Sequence, residues 1–283
     1  MQIRRRYSRS RLTLMDAVVG TILTLMALLV ILPFYNAIMI SFVTESEYFR
    51  NPFILFPHEP TLEAYTTLLD TGNILAGYGN TLIHIAIGLP ISMFITFALG
   101  YVLSRPAFPG RRFLYVFVLI TMLFSGGMVP SFLLIRSLDL MNTRWSVILS
   151  CLLSTYYVVL VTNFIRSLPG SLLESARLDG ASEATILVRI VLPLSKPILA
   201  TITVMNMISL YGDFIWPLLV IDSNSIQVIS VAVQTYSSST QGSTANYGAM
   251  IAGFVMATIP LLVMFLFSSR LYIEGITSGA VKA

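Results

Sequence analysis

The chain has 283 residues, of which 56% are hydrophobic and only 11% are charged, and its mean hydropathy is +0.83. A soluble domain carries roughly 25% charged residues, so this composition excludes an ordinary water-exposed surface and indicates that the bilayer is the solvent. The net charge of +4 does not by itself indicate nucleic acid, because the charge of each connecting segment says more about a membrane protein. The single cysteine, Cys151, excludes an intrachain disulfide, and we interpret it as a small core residue.

Six apolar stretches are each long enough for a membrane helix, which needs about 20 mostly apolar residues. They cover residues 15–42, 80–104, 113–135, 145–166, 197–221 and 247–269. The first follows a basic start, but its apolar run exceeds that of a secretory signal and no small-residue cleavage site follows. The sequence therefore predicts an all-α membrane protein with six transmembrane helices. We divide it into a tail at 1–14, a first helix with an external segment at 15–79, a core at 80–270 containing a loop at 168–196, and a tail at 271–283.

Basic residues are distributed unevenly among the segments that connect these helices. If the N-terminus is cytoplasmic, fourteen of the 17 Lys and Arg residues fall on the cytoplasmic side, and only Arg50, Arg136 and Arg144 fall outside. The positive-inside rule therefore predicts that both termini are cytoplasmic, and an even number of spans agrees with it.

The two long segments predicted to lie outside differ in character. Residues 43–79 are acidic, and the stretch PTLEAYTTLLD within them predicts a short helix outside the membrane. Residues 222–246 are rich in Ser and Thr, which predicts a flexible connector where a solute or an external partner arrives. In span three, the stretch GGMVP at 126–130 predicts an interruption, which is either a constriction in a pathway or a simple kink.

A charged, Gly-interrupted stretch at 174–193 separates spans four and five. Ser171 and Glu174 have the spacing of a capping box, so Ser171 is predicted to cap a short helix. Gly180 ends that helix, since Gly adopts a left-handed backbone at low cost, and Ser182 is predicted to cap a second helix. Apolar residues recur at helical spacing on both: Leu172, Leu173 and Ala176 on the first, and Ile186, Leu187, Ile190 and Val191 on the second. The exposed turn between the helices is available to a partner.

Sequence patterns of catalysis are missing. There is no G-x-x-x-x-G-K-[ST] motif, so the chain does not bind ATP through a P-loop. The two histidines, His58 and His84, are far apart and give no metal-ligand spacing, and no serine pairs with a histidine in a recognisable motif. We therefore predict a protein that is not an enzyme, with no catalytic residue, no metal ligand and no cofactor, and we interpret His84 as a hydrogen-bonded buried histidine.

The loop resembles the cytoplasmic EAA motif of the permeases of ABC-type importers, whose pattern is E-A-A, three residues, G, nine residues, I, one residue, L-P. Six of the seven positions match, and Ser175 replaces the first Ala. Within these importers the chain is similar to the carbohydrate-uptake branch and its shorter maltose-type permease. The resemblance covers nearly the whole chain, including the stretches at 124–143, 211–219 and 275–283.

The resemblance implies the type I ABC importer permease fold in a bacterial cytoplasmic membrane. It implies four kinds of partner: a second permease, expected to be a different chain, two cytoplasmic ABC ATPase subunits that hydrolyse ATP, an external solute-binding protein, and a sugar or oligosaccharide substrate. The residues expected to couple the chain to the ATPase are Glu174, Ser175, Ala176, Asp179, Gly180, Ile190, Leu192 and Pro193. The alternative is an ion- or proton-coupled secondary transporter, which would want paired intramembrane ionisable groups or an inverted repeat.

One carboxylate lies inside an apolar span, at Asp213. A charge there is costly and usually faces the bundle interior or water. Asn206, Asp213 and Trp216 are predicted to share a helical face, and Tyr211 flanks them. Aromatic faces with amide and carboxylate groups suit sugar rings and hydroxyls, so these four residues are candidates for a substrate pathway. The alternative is that Asp213 ties span five to a neighbouring helix.

Two peripheral segments carry further expectations from the resemblance. The outer loop at 236–247 is expected to reach into the docked binding protein and to help displace the sugar. The C-terminal stretch at 275–283 is expected to enter the interface between the two ATPase subunits, whereas its composition alone predicts a frayed end.

Overall fold

The computed structural model describes residues 13–70, 73–239 and 247–280. Within these ranges the regular structure is helical and contains no β-strand, which confirms the all-α prediction. The described residues divide into two compact units. The first lies within Met1–Leu68 and Ala245–Val255, and the second lies within Leu69–Thr244 and Met256–Ala283.

The helices follow one another with short connections. The first eight are α1 (Leu14–Ile40), α2 (Glu45–Arg50), α3 (Glu63–Asp70), α4 (Asn73–Ser104), α5 (Arg111–Leu123), α6 (Met128–Ser137), α7 (Arg144–Ser150) and α8 (Thr155–Arg166). The others are α9 (Gly170–Leu178), α10 (Glu183–Ile186), α11 (Leu192–Leu194), α12 (Lys196–Gly212), α13 (Ile215–Val220), α14 (Ile229–Ser239) and α15 (Tyr247–Ala280). A widened π-helical turn, Leu187–Val191, joins α10 to α11.

Three of the described helices are long and apolar enough to cross a membrane without a break: α1, α4 and the Tyr247–Leu266 part of α15. Three bent pairs raise the count to the predicted six if each pair is one span. The pairs are α5 with α6, bent by 111°, α7 with α8, bent by 43°, and Glu183–Leu194 with α12, bent by 73°. The sequence analysis predicted an interruption in the third span only.

The breaks occur where the backbone leaves the helical conformation. Gly127 has a φ of +84°, so α5 ends before it and α6 begins after it, which confirms the predicted interruption of span three. Asp213 is extended between α12 and α13. A carbonyl freed in this way needs another donor in a membrane, and the Ser230 hydroxyl donates to the Asp213 carbonyl oxygen at 2.8 Å.

In the first unit, the long apolar helix α1 exposes large side chains around its whole circumference, as a helix in contact with lipid does. Ile40, Val43 and Ile54 form a small buried cluster at its C-terminal end. The Tyr35 hydroxyl donates to the carbonyl oxygen of Leu55 at 2.8 Å and so holds the following segment in place. The predicted helix in PTLEAYTTLLD is present as α3, whereas α2 was not predicted.

In the second unit, α5, α7, α8, α12 and α14 all pack against α4. Small residues on α4 permit this close approach. A Cβ atom on Gly100 would lie 2.5 Å from Cγ1 of Val161 on α8, and a Cβ atom on Gly77 would lie 3.0 Å from the Cα atom of Ile229 on α14. Small residues at these positions let the helices meet at backbone distance, which is the usual basis of helix association in membranes.

The outer segment after span five departs from the predicted flexible connector. Residues 229–239 form α14, and Ile229, Val231 and Val233 are buried against the rest of the second unit. Asn80 of α4 donates from Nδ2 to the carbonyl oxygens of Ser225 and Gln227 at 2.9 and 3.1 Å. The prediction was wrong for residues 229–239, because a helix of 11 residues is too short to be recognised as a membrane span from its hydropathy. The remainder of the predicted connector, residues 240–246, lies outside the described residues.

The close packing of α4 on α8 predicts the effect of a single methyl group. Gly100→Ala is expected to lower the free energy of unfolding by about 1–3 kcal/mol, because the new Cβ would overlap Val161. Gly79→Ala on the same helix is the control, since a Cβ there meets nothing within 4 Å, and it is expected to be neutral or slightly stabilising. Thermal unfolding of the detergent-purified protein measures both, and equal midpoints would contradict the packing.

Candidate functional site

The loop between α8 and α12 folds as two short helices with a tight turn, as predicted. Gly180 has a φ of +80°, which confirms the left-handed turn. The Ser182 hydroxyl accepts a hydrogen bond from the backbone N–H of Thr185 at 3.2 Å, which confirms the second cap. The predicted capping box is wrong, because α9 begins at Gly170 and no side chain caps it. Glu174 therefore has no capping role.

The loop has a buried inner face and an exposed outer face. On the inner face Leu173, Ile186 and Val191 are buried in one cluster with residues of α4, α8 and α12. On the outer face Leu178 is 88% exposed, which is unusual for a large apolar side chain next to a charged turn. Leu172, predicted for the inner stripe, is also exposed. The loop is thus packed against the helices on one side and exposed on the other.

The predicted coupling residues are divided between the two faces. Ala176 and Ile190 are partly buried and pack against the inner cluster. The other six are exposed: Glu174, Ser175, Asp179, Gly180, Leu192 and Pro193. A partner can therefore contact most of them without any rearrangement of the loop.

Glu183 connects the loop to α4, and the sequence analysis missed it. The Tyr101 hydroxyl donates to Glu183 Oε2 at 2.6 Å. Arg177 donates to Glu183 Oε1 from Nε at 3.0 Å and from Nη2 at 2.8 Å. The hydrogen bond from Tyr101, together with the bonds and charge of Arg177, lowers the pKa of the Glu183 carboxyl below its usual value. The six-residue spacing of Arg177 and Glu183 across a turn was the only sequence signal.

Two arginine side chains cap the C-terminal end of α4, near the loop. Arg111 Nε and Arg166 Nη2 both donate to the carbonyl oxygen of Leu103, at 2.8 and 3.1 Å. Cations near the C-terminus of a helix satisfy its free carbonyl groups and complement its dipole. Arg166 also lies over the ring of Tyr115, with 4.5 Å between Cζ and the ring centroid. These contacts join the end of α4 to α5 and α8 at the place where the loop packs on the helices.

A second candidate site is a cavity of about 630 Å³ in the second unit. It lies among α6, the connection between α7 and α8, and the break between α12 and α13. Its polar lining residues are Ser131, Ser150, Ser154, Asn206, Ser209 and Asp213, and Asp213 is the one charged residue among the described lining residues. Tyr157 and Trp216 contribute aromatic rings. A cavity of this size with a few convergent polar groups is typical of a ligand site.

The structure brings together three of the four predicted pathway residues. Asn206, Asp213 and Trp216 line the cavity, whereas Tyr211 does not. The Tyr211 hydroxyl instead donates to the carbonyl oxygen of Ala257 at 2.7 Å, so this side chain holds α15. Asn206 is buried and donates to Ser92 Oγ on α4 at 2.9 Å, which leaves its amide oxygen for other contacts.

Asp213 and Trp216 are held differently. The Asp213 carboxylate accepts from the backbone N–H of Trp216 at 3.5 Å and has no hydrogen bond to a side chain of another described helix. The pathway role of this carboxylate and the alternative in which it ties span five to a neighbouring helix both stay predictions. The Trp216 indole N–H donates to the carbonyl oxygen of Ser146 at 2.9 Å, which fixes one ring edge against α7.

The two central stretches of the family resemblance meet beside the cavity. Asn142, one residue before the end of the stretch at 124–143, has a φ of +56° and donates from its backbone N–H to the carbonyl oxygen of Val220 at 2.7 Å. Its side-chain oxygen accepts from the backbone N–H groups of Asp222 and Ser223 at 3.2 and 2.9 Å. One asparagine therefore joins the end of α13 to the segment before α7.

His84 is buried on α4, as expected, but it is not hydrogen-bonded as expected. Neither ring nitrogen has a hydrogen-bond partner among the described residues. His84 does not line the cavity. Its predicted role as a satisfied core histidine is therefore wrong in its hydrogen bonding and correct in its burial.

Comparisons with known proteins agree with this architecture. The profile of the family described as binding-protein-dependent transport system inner membrane component matches residues 88–272. Protein LplC of Bacillus subtilis is 34% identical over 89% of this chain and 89% of its own length. The polygalacturonan/rhamnogalacturonan transport system permease protein YtcP of the same organism is 34% identical over 95% of this chain and 98% of its own length. The solved structure of a bacterial ABC transporter that imports the acidic polysaccharide alginate contains a similar chain, with a TM-score of 0.84, 25% identity and coverage of 94% and 98%.

The chain therefore belongs to the family of binding-protein-dependent transport system inner membrane components. It is a multi-pass membrane protein of the permease class, with the type I ABC importer fold.

The Glu183 contacts predict a pH dependence of the loop. Because the folded pKa is lowered, the carboxylate stabilises the loop fully above the ordinary pKa, and this stabilisation is lost as pH falls through the folded value. Hydrogen exchange of residues 170–194 is expected to be faster in Glu183→Gln than in wild type at pH 7, and the difference is expected to shrink as the pH falls through the lowered pKa of Glu183. The exposed Glu174→Gln is the control and should exchange like wild type over the whole pH range.

Proposed function

We propose that the chain is the membrane-spanning permease subunit of an ATP-driven importer that takes oligosaccharides from an external solute-binding protein. It forms the translocation pathway with a second permease and does not itself hydrolyse ATP, which is the task of two ABC ATPase subunits. The observation that carries the proposal is the loop at 168–196, whose inner face is buried while Leu178, Asp179 and Gly180 stay exposed for a partner.

The loop is suited to docking in a groove of the ATPase. Leu178 offers an apolar anchor, and Glu174 and Asp179 surround it with charge, an arrangement typical of an interface with a desolvated centre and a polar rim. The buried inner face is continuous with α4, α8 and α12, so a displacement of the docked loop moves these helices as packed elements. ATP-driven closure of the ATPase subunits would in this way reach the membrane-spanning part.

The cavity supports an oligosaccharide as the substrate class. Hydroxyl-rich rings need hydrogen-bond acceptors and donors beside an aromatic surface, and Asp213, the Asn206 amide and Trp216 supply these. Relatives point to the same class, since YtcP is named for polygalacturonan and rhamnogalacturonan and others are named for arabinooligosaccharides. This lining has a carboxylate and no described cation, which favours neutral hydroxyl groups over uronate carboxylates on this side of the pathway.

The turn at Gly180 is expected to be required for coupling. Gly180→Val places a β-branched residue at a φ of +80° and costs about 1–3 kcal/mol locally, although a Cβ there meets nothing within 4 Å. The variant should assemble, yet sugar loaded on the binding protein should no longer stimulate ATP hydrolysis in the reconstituted complex. Gly170→Val is the matched control, since its Cβ is equally unobstructed and its φ is not positive. Normal stimulation of ATP hydrolysis in Gly180→Val would show that coupling does not depend on this turn.

The cavity residues are expected to affect transport and not assembly. Asp213→Asn keeps the size of the side chain and removes its charge, and loss of a charged hydrogen bond to a sugar hydroxyl should lower uptake by about tenfold or more. Ile215→Ala is the control, because Ile215 is exposed and does not line the cavity. Uptake of labelled oligosaccharide into proteoliposomes measures both. If cysteines placed at 213 and 216 stay inaccessible to small hydrophilic reagents in every state of the cycle, these residues are packing residues.

A further inference from the structure

Arg105, directly after the last residue of α4, has buried hydrogen-bond donors without an acceptor. Its Nε and Nη2 atoms are buried and have no hydrogen-bond partner among the described residues. Its Cζ atom lies 4.2 Å from the ring centroid of Tyr101, so the guanidinium covers the face of that ring. Unpaired buried donors on a cation are costly, and this cost would be relieved by a carboxylate that reaches them in another conformation.

Glu183 is the carboxylate in position to do so. It accepts a hydrogen bond from the hydroxyl of the same tyrosine whose ring lies under Arg105. The charge of Arg105 already acts on the Glu183 carboxyl. The two groups thus contact one side chain, Arg105 at the face of its ring and Glu183 at its hydroxyl.

The present partner of Glu183 is easily released. The side chains of Arg177 and Glu183 are 44% and 56% exposed, and ion pairs this exposed to water contribute little. Arg177 lies on α9, in the outer part of the loop, whereas Arg105 follows α4. An exchange of partners would therefore release Glu183 from α9 and leave it attached only to the end of α4.

We propose that Glu183 exchanges Arg177 for Arg105 during the transport cycle and that this exchange is a latch between the coupling loop and α4. In the resting state Arg177 and Tyr101 hold Glu183. When the ATPase subunits close and displace the loop, Glu183 moves to Arg105. Tyr101, Arg105, Arg177 and Glu183 are then positioning residues for coupling. This inference rests on the proposed function, because it needs a partner that moves the loop.

The latch predicts effects of opposite sign for the two arginines. Arg177→Gln removes a contact of the resting state only, so ATP hydrolysis in the absence of substrate should rise by about two- to tenfold. Arg105→Gln removes a contact of the driven state only, so oligosaccharide-stimulated hydrolysis should fall by a similar factor. A merely structural role would lower hydrolysis in both variants.

The experiment uses the complete complex in proteoliposomes, with binding protein loaded from a mixture of pectin- and arabinan-derived oligosaccharides. Arg105→Lys keeps the charge and should recover part of the stimulated activity, while Arg112→Gln removes an exposed cation elsewhere and should match wild type. Tyr101→Phe keeps the ring below Arg105 and removes the hydroxyl that donates to Glu183. It should raise substrate-independent hydrolysis in the same direction as Arg177→Gln.

The outcomes separate the latch from the proposed function. A fall of substrate-independent hydrolysis in both Arg177→Gln and Tyr101→Phe overturns the latch, and so does wild-type stimulation in Arg105→Gln. If the complex with Arg105→Gln does not assemble, the rise or fall of substrate-independent hydrolysis in Arg177→Gln and Tyr101→Phe still tests the latch. A wild-type complex that imports no oligosaccharide from the mixture contradicts the proposed function instead.

Discussion

The close packing on α4 is the constraint on which the second unit depends. Without water in the bilayer core, helices gain little from apolar contact with one another and associate through short backbone approach and interhelical hydrogen bonds. Gly77 and Gly100 provide the approach, and Asn80 and Ser92 provide hydrogen bonds to the segment before α14 and to α12. The cavity and the coupling loop are both built from elements that this one helix aligns.

Broken helices follow from the same solvent constraint. A pathway for a hydroxyl-rich solute needs polar groups at membrane depth, and interrupted helices expose them only where other protein groups satisfy the backbone. Here Ser230 bonds the Asp213 carbonyl oxygen, and Asn142 bonds the backbone on both sides of Ile221. The polar cavity therefore forms where three spans are interrupted, and its described lining residues come from these spans and not from the unbroken helices α1, α4 and α15.

The loop combines a buried attachment with an exposed surface, and the two properties need different residues. Buried Leu173, Ile186 and Val191 make the loop part of the helical bundle. Exposed Leu178 leaves an apolar surface that gains from a partner. A loop that was buried on both sides could not be contacted, and one that was attached on neither side could not transmit a displacement. Glu183 adds polar contacts that join the exposed part of the loop, through Arg177, to α4, through Tyr101.

The sequence by itself determined the solvent, the apolar stretches and the helix-turn-helix loop, because hydropathy over about 20 residues and a glycine at a left-handed turn are local properties. It also pointed to Asn206, Asp213 and Trp216, although these residues share the cavity and not one helical face, because the helix is broken at Asp213. Only the tertiary structure decided that Tyr211 holds α15, that α14 is buried, and that Glu183 meets Tyr101. These contacts join residues far apart in the chain, since Tyr101 and Glu183 are 82 positions apart, and no local pattern specifies which helix faces which.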